Sequence, residues 1–301
     1  MEKRTLGRSE IKVTPLCFGG NVFGWTTDEA TSFDILDTFL EEGGDFIDTA
    51  DVYSRWAPGH QGGESETVMG RWLKNRNKRD KVIIATKLGS PMGENAKGLS
   101  RRYMMEAVEA SLRRLQTDYI DLYQAHIDDQ DTALEETLAA FNELITQGKV
   151  RAIGASNYTA GRLSEALSVS KQHNEARYES IQPPYSLANR SVYEGSLEET
   201  CLKEDVGVIT YSSLASGFLT GKYRAGTNLP GSPRAQGVQK NYMNKRGFAI
   251  LNELDRIATR YDATITQVAL AWIIARPGIT APIASTTSIA QTRELMGSLK
   301  L

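Results

Sequence analysis

Short apolar runs alternate along this chain with longer segments whose apolar residues recur at helical spacing, and that alternation narrows the fold more than anything else. Eight runs read as strands: residues 16–19, 46–48, 82–87, 119–123, 150–155, 180–182, 207–211 and 279–283. Between them, Val68, Met69, Trp72 and Leu73 share one face of a helix starting near Ser65. Val108, Leu112 and Leu115 do the same after Ser100, which has the residue type of an N-cap. Thr132-Ala133-Leu134-Glu135 has capping-box spacing ahead of a stripe of Leu134, Leu138, Phe141 and Ile145. Gly148 stands where a left-handed glycine would end that helix. Further helices are expected to about Ser170, to about Glu204, at 247–260 and at 266–275, the last stopped by Arg276-Pro277. Strands alternating with helices predict a parallel sheet with crossover helices. Eight such units close a (β/α)8 TIM barrel, which fits one domain over residues 1–301. Residues 4–6 and 12–14, around Gly7-Arg8-Ser9, predict an N-terminal β-hairpin across the barrel floor. Two Gly- and Pro-containing loops, 55–63 and 223–247, interrupt the alternation. Loops that long usually have a functional task, so both are expected on the active rim, the second as a clasp.

Composition excludes more than it reveals. With 35 Lys and Arg against 37 Asp and Glu, the net charge of −2 gives no case for a nucleic-acid or anionic-membrane partner. The two cysteines, Cys17 and Cys201, form no disulfide framework and suit a reducing compartment. The charged start, Met1 to Thr5, leads into no apolar segment, so no secretory signal is expected. No run is long and apolar enough to span a bilayer, and a cytoplasmic protein of open oligomeric state follows. Three histidines without ligand spacing argue for no metal, and no G-x-S-x-G elbow supports an acyl-transfer nucleophile.

The chemistry sits at strand ends. In a parallel barrel the carboxyl ends of all strands converge on one rim. Asp48 and Lys87 end their runs, and Tyr53 and His126 lie just beyond theirs. A free phenol, with a pKa of about 10, donates poorly near neutrality unless a neighbouring cation lowers it by roughly 1–3 units. Tyr53 beside Lys87 is therefore expected to be a general acid brought toward the working pH. Asp48 would hold Lys87 charged, and His126 would hydrogen-bond a substrate oxygen. Singly, each residue has a duller explanation: a rim salt bridge, a packed ring, a structural imidazole. Four suitable types in order at strand ends favour chemistry.

The segments Gly44-Asp45-Phe46-Ile47-Asp48-Thr49-Ala50-Asp51-Val52-Tyr53 and Tyr123-Gln124-Ala125-His126 closely resemble those of the aldo-keto reductases, and the likeness runs from about residue 4 to about 295. That resemblance implies an NADPH-dependent carbonyl reductase on a (β/α)8 barrel, with Asp48, Tyr53, Lys87 and His126 as its catalytic residues. Its long-loop branch also includes potassium-channel β subunits.

No dinucleotide fingerprint is present: Gly19-Gly20-Asn21-Val22-Phe23-Gly24 has the wrong spacing, and residues 217–223 only loosely imitate a P-loop. A cofactor would therefore bind at the rim. Ser156, Asn157 and Gln182 offer amide and hydroxyl groups to a carboxamide, and Tyr211 offers a stacking face. All match the family's nicotinamide pocket. Residues 211–223 resemble its pyrophosphate segment, implicating Ser212, Leu214 and Gly217. Lys222 and Arg234 match positions that bind a 2′-phosphate. Near the C-terminus, Ser285, Thr287, Gln291 and Glu294 fall in the adenosine segment, but Thr287 replaces an often charged residue and Leu295 stands where Asn is usual. The expected cofactor is thus NADPH (the NADP couple), with NAD as the alternative. Relative to the pattern, the chain stops at Leu301, ahead of a final helix that many members carry.

The resulting expectation is reversible hydride transfer between a nicotinamide and a small aldehyde or ketone, with Trp25 and Trp56 lining the substrate pocket. Two rivals remain: a nicotinamide-binding regulatory subunit, and a lyase using Lys87 as a Schiff base.

Overall fold

The computed structural model describes residues 2–301, and Met1 lies outside them. Strands β1 (Arg4–Thr5) and β2 (Lys12–Val13) pair antiparallel as the expected hairpin. Eight parallel strands follow: β3 (Cys17–Gly19), β4 (Phe46–Asp48), β5 (Ile83–Leu88), β6 (Ile120–Ala125), β7 (Val150–Ser156), β8 (Tyr178–Gln182), β9 (Gly207–Thr210) and β10 (Ile279–Ala284). They close in sequence order, with β10 pairing back onto β3. Helices α1 (Glu29–Glu41), α2 (Glu64–Arg76), α3 (Arg101–Leu115), α4 (Leu134–Thr146), α5 (Ala160–His173) and α6 (Ser196–Glu204) supply the crossovers as far as β9. After β9 come α7 (Ala235–Tyr242), α8 (Lys245–Tyr261) and α9 (Ile265–Ile274), and α10 (Ile289–Gly297) follows β10.

Strand alternation sorts the side chains into two cores. Phe46, Ala85, Leu122, Ala152 and Ile209 point inward and pack with Leu6, Ile11 and Val13, so the hairpin plugs the barrel floor. Their chain neighbours Ile47, Ile84, Tyr123, Ile153 and Val208 face outward into the layer beneath the helices. Two residues on from the floor layer, the inward positions become Asp48, Lys87, Gln124, Gly154 and Tyr211. Polar chemistry is therefore stacked on an apolar plug by the two-residue period alone.

Several local expectations need correction. Thr132 does not cap α4: the N-cap is Ala133 without a side-chain bond, and Thr132 Oγ1 instead donates to Asp129 Oδ2 at 2.7 Å. Ser100 occupies the N-cap of α3 but its hydroxyl makes no capping bond, while Glu136 accepts from the Arg101 amide. Gly148 does adopt φ 72° after α4. The capping box lies instead at Thr264 and Gln267, opening α9. The 223–247 segment is not all loop, since α7 and the start of α8 lie within it. Phe218, Leu219, Tyr223, Val238, Leu251 and Leu254 give this region a separate apolar core.

Candidate active site

At the carboxyl end of the strands, Lys87 Nζ lies at the centre of a closed hydrogen-bond set. It donates to Asp48 Oδ2 at 2.6 Å, to Thr49 O at 2.7 Å and to Tyr53 OH at 2.9 Å. An ammonium has three protons, and all are committed. Lys87 and Asp48 are fully buried, so this is a desolvated ion pair whose remaining lone pairs must be satisfied. Asp48 Oδ1 accepts from Gln182 Nε2 at 2.9 Å and Gln124 Nε2 at 3.2 Å. The backbone beyond β4 stays fastened to β5, with Thr49 N donating to Ala85 O and Asp51 N to Lys87 O, before turning to present Tyr53. Ser65 reinforces that turn, its hydroxyl bonding both Thr49 Oγ1 and Gly20 O.

The expected depression of the Tyr53 pKa does not occur. Burial pushes the phenol up to about 12, and Lys87 offsets only part of that because Asp48 opposes it. The main reason is burial of the phenol, and Asp48, 2.6 Å from the same ammonium, adds to the rise. For Lys87, burial alone would favour the neutral amine, but Asp48 and then Tyr53 reverse this and hold its pKa above the usual lysine value. His126 follows β6, its ring 6.0 Å from that of Tyr53. Burial, then Lys87, lowers its pKa to about 3, so the imidazole is neutral near pH 7. His126 Nδ1 is buried without a partner. An orphaned acceptor costs less than an orphaned N–H, which favours the tautomer with its proton on Nε2.

Tyr53 and His126 open onto a cavity of about 1100 Å³ that runs to the start of α10. Of the residues expected to meet a cofactor, Ser156, Asn157, Gln182, Tyr211, Ser212, Leu214, Gly217, Lys222, Arg234, Ser285, Thr287, Gln291 and Glu294 all line it. At one end Tyr211 OH donates to Asn157 Oδ1 at 2.9 Å, while Asn157 Nδ2 donates to His126 O at 3.0 Å. Ser212, Ala215, Ser216 and Gly217 all have positive φ, so the segment folds into tight turns, closed by the Ala215 amide on Ser212 O and the Gly217 amide on Leu214 O. Among the described residues neither Lys222 nor Arg234 forms an ion pair within the cavity they share, and each has its pKa lowered, first by burial. Lys222 is lowered further by Arg234. Two uncompensated cations in one recess are an arrangement that an anion would relieve. At the far end, Gln291 Oε1 accepts from the Thr287 amide.

Trp25 lines the cavity, under the Arg234 guanidinium at 5.6 Å. Trp56 does not line it and is about half exposed, packing edge-on against Trp25 and Tyr53. Ser216 and Thr220, within the expected 211–223 segment, also line the cavity, as do Asn21, Thr26, Ser232 and Thr266, which sequence reasoning missed. For Asn21 a signal existed, since the Gly19-Gly20-Asn21 run ends a barrel strand, whatever its failure as a fingerprint. Gln124 was missed too, although the same alternation that places Lys87 inward places it there.

A barrel with a polar, one-ended rim site defines the class, and the sequence comparisons agree with it. The model of the Aldo/keto reductase family matches residues 15–301. This chain belongs to the aldo/keto reductase family, and is an oxidoreductase. It is 33% identical over 311 residues to the uncharacterized oxidoreductase YrpG of Bacillus subtilis, covering 100% of this chain and 92% of that protein. Protein tas of Escherichia coli K12 is 33% identical over 325 residues, covering 100% and 94%. A probable voltage-gated potassium channel subunit beta of Arabidopsis thaliana is 32% identical over 307 residues, covering 98% and 90%. The family generally uses nicotinamide cofactors and acts on small carbonyl compounds. Among the described residues no helix is long and apolar enough to cross a membrane.

Proposed function

We propose that this protein is a carbonyl reductase in which hydride passes between NADPH and an aldehyde or ketone, with Tyr53 as the proton donor. The single observation carrying this reading is the Lys87 ammonium fixed between Asp48 and Tyr53, with the phenol and His126 both facing one dinucleotide-sized cavity. When bound, a reduced nicotinamide supplies the hydride. Tyr53 holds its proton throughout the ordinary pH range and gives it up only to a strongly basic oxygen, such as the alkoxide that reduction creates. Lys87 stabilises the phenolate left behind at 2.9 Å, and Asp48 keeps Lys87 charged and aimed. Neutral His126, with its Nε2 proton toward the cavity, hydrogen-bonds the carbonyl oxygen and fixes its direction.

The donors present suit the cofactor. Ser156, Asn157 and Gln182 surround a carboxamide, and Tyr211 gives a ring face. The turns at 212–217 line the stretch of cavity that takes the pyrophosphate, and Lys222 and Arg234 supply cations for phosphate, hence NADPH before NADH. Trp25, with Trp56 behind it, walls the substrate side. The Schiff-base alternative is disfavoured because Asp48 and Tyr53 hold Lys87 as an ammonium with all three protons engaged, and an ammonium has no free lone pair with which to attack a carbonyl carbon. A purely regulatory role predicts cofactor binding without turnover.

A panel of carbonyls followed by NADPH absorbance, run on wild type and Tyr53→Phe, tests the reading. Turnover should fall 100-fold or more while NADPH affinity stays within about threefold. Near-wild-type reduction by the variant would overturn the Tyr53 assignment.

A further inference from the structure

Gln124 lies fully buried on the inner face of β6, a polar amide in the barrel interior that the reaction outlined above does not employ. Both ends of that amide are engaged. Nε2 donates to Asp48 Oδ1 at 3.2 Å, and Oε1 accepts from Gln182 Nε2 at 3.3 Å. Gln182 Nε2 gives its other proton to Asp48 Oδ1 at 2.9 Å. The barrel makes room for this bridge: Gly154 pairs with Gln124 in the sheet, and a Cβ there would stand 3.2 Å from Gln124 Cγ and collide with Ser180 Oγ.

These contacts fix a polarity. A glutamine amide can be turned end for end with little change in shape, so only its partners decide which end faces where. Asp48, held as an anion by Lys87, can only accept. It therefore draws the Gln124 NH2 toward itself, which turns Gln124 Oε1 toward Gln182. Asp48 Oδ1 and Gln124 Oε1 together claim both protons of Gln182 Nε2. Gln182 lines the cavity, and with Nε2 turned inward the group left for a ligand is Oε1.

We infer that Gln124 is a positioning residue that locks Gln182 with its carbonyl oxygen toward the cavity, so that the site selects a cofactor presenting an N–H donor at that point. This rests on the nicotinamide reading above and adds a direction to it. The NH2 of a nicotinamide carboxamide donates to Gln182 Oε1, and the charge state of the Asp48–Lys87 pair sets that preference both directly, through Asp48 Oδ1, and through Gln124.

The test is a binding ratio. Dissociation constants for NADP+ and for its 3-acetylpyridine analogue, whose methyl ketone has no N–H, are measured by quenching of tryptophan fluorescence, with Trp25 in the cavity as the near reporter. Wild type should favour the carboxamide by about 3- to 12-fold, the upper part of the range for one neutral hydrogen bond. In Gln124→Met, similar in length but without donor or acceptor, the ratio should fall at least threefold. A change in packing alone would weaken both ligands equally and leave the ratio intact, and that result overturns the role given to Gln124. Should Gln124→Met not fold, Gln124→Asn, whose shorter amide cannot span both partners, is expected to lower the ratio likewise, and an unchanged ratio there is equally fatal. Failure of wild type to bind either dinucleotide would instead sink the nicotinamide reading itself.

Discussion

Replacing Asp51 with asparagine should make the protein less sensitive to alkali. Asp51 follows the Asp48-Thr49-Ala50 turn, is 2% exposed, and has both carboxyl oxygens buried without a hydrogen-bond partner. Burial raises its pKa to about 8, and Glu66 adds to the rise. Arg114 and Lys87 pull the other way without prevailing. Tyr103 and Tyr123 feel the same carboxyl, their own pKa values raised first by burial and then by Asp51. Folded Asp51 therefore keeps a proton that the unfolded chain sheds near pH 4. This contribution to stability is fully present below about pH 4 and is lost as pH rises through about 8. At about 1.4 kcal/mol per pH unit, moving from pH 5 to pH 8 costs the wild type roughly 3–4 kcal/mol through this group. Asp51→Asn keeps the shape and cannot ionise. Scanning calorimetry or circular dichroism on both proteins between pH 5 and 8.5 reads the difference as midpoints. At about 2 °C per kcal/mol for a chain of this size, the variant should gain roughly 6 °C on wild type across that range. Midpoint curves that run parallel within about 1 °C would refute the argument and show that Asp51 finds a partner, such as bound water, that keeps it ionised.

Two further outcomes follow from the site. Because His126 has its pKa lowered to about 3 and Tyr53 raised to about 12, carbonyl reduction should show no titration limb near pH 6.5. A pH–rate profile for kcat with a clear limb there would contradict the neutral imidazole. Lys222→Ala should weaken NADPH binding about 10-fold while changing the kcat of the saturated enzyme by less than about twofold, and raised salt should shrink the gap. Equal affinities at low salt would remove Lys222 from the phosphate-binding set.

Much of the molecule was legible in one dimension. Period-two strands alternating with period-3.6 helices specify the eight-stranded barrel, and the same period brings Asp48, Lys87 and Gln124 inward once Phe46, Ala85 and Leu122 form the plug. Capping was less readable: Thr132 has the right residue type and spacing, yet Asp129 captures its hydroxyl, a competition between neighbours that spacing does not rank. Helix α7 hides in a Gly- and Pro-bearing stretch because its stability comes from packing on Phe218 and its neighbours rather than from propensity.

The chain alone thus determined the barrel, the plugged floor and which functional groups reach the rim, because strand periodicity and strand order are properties of the sequence. Tertiary structure decided how those groups behave. Where the Tyr53 pKa settles depends first on how deeply the phenol is buried and then on Lys87 and the Asp48 standing 2.6 Å from that ammonium, and whether His126 is charged depends on how deeply the rim buries it. The orientation of Gln182 depends on Asp48, 134 positions away along the chain, and on Gln124, 58 positions away. Electrostatic and hydrogen-bond energies vary over a few ångströms, and distances of that size between remote residues exist only once the barrel has closed.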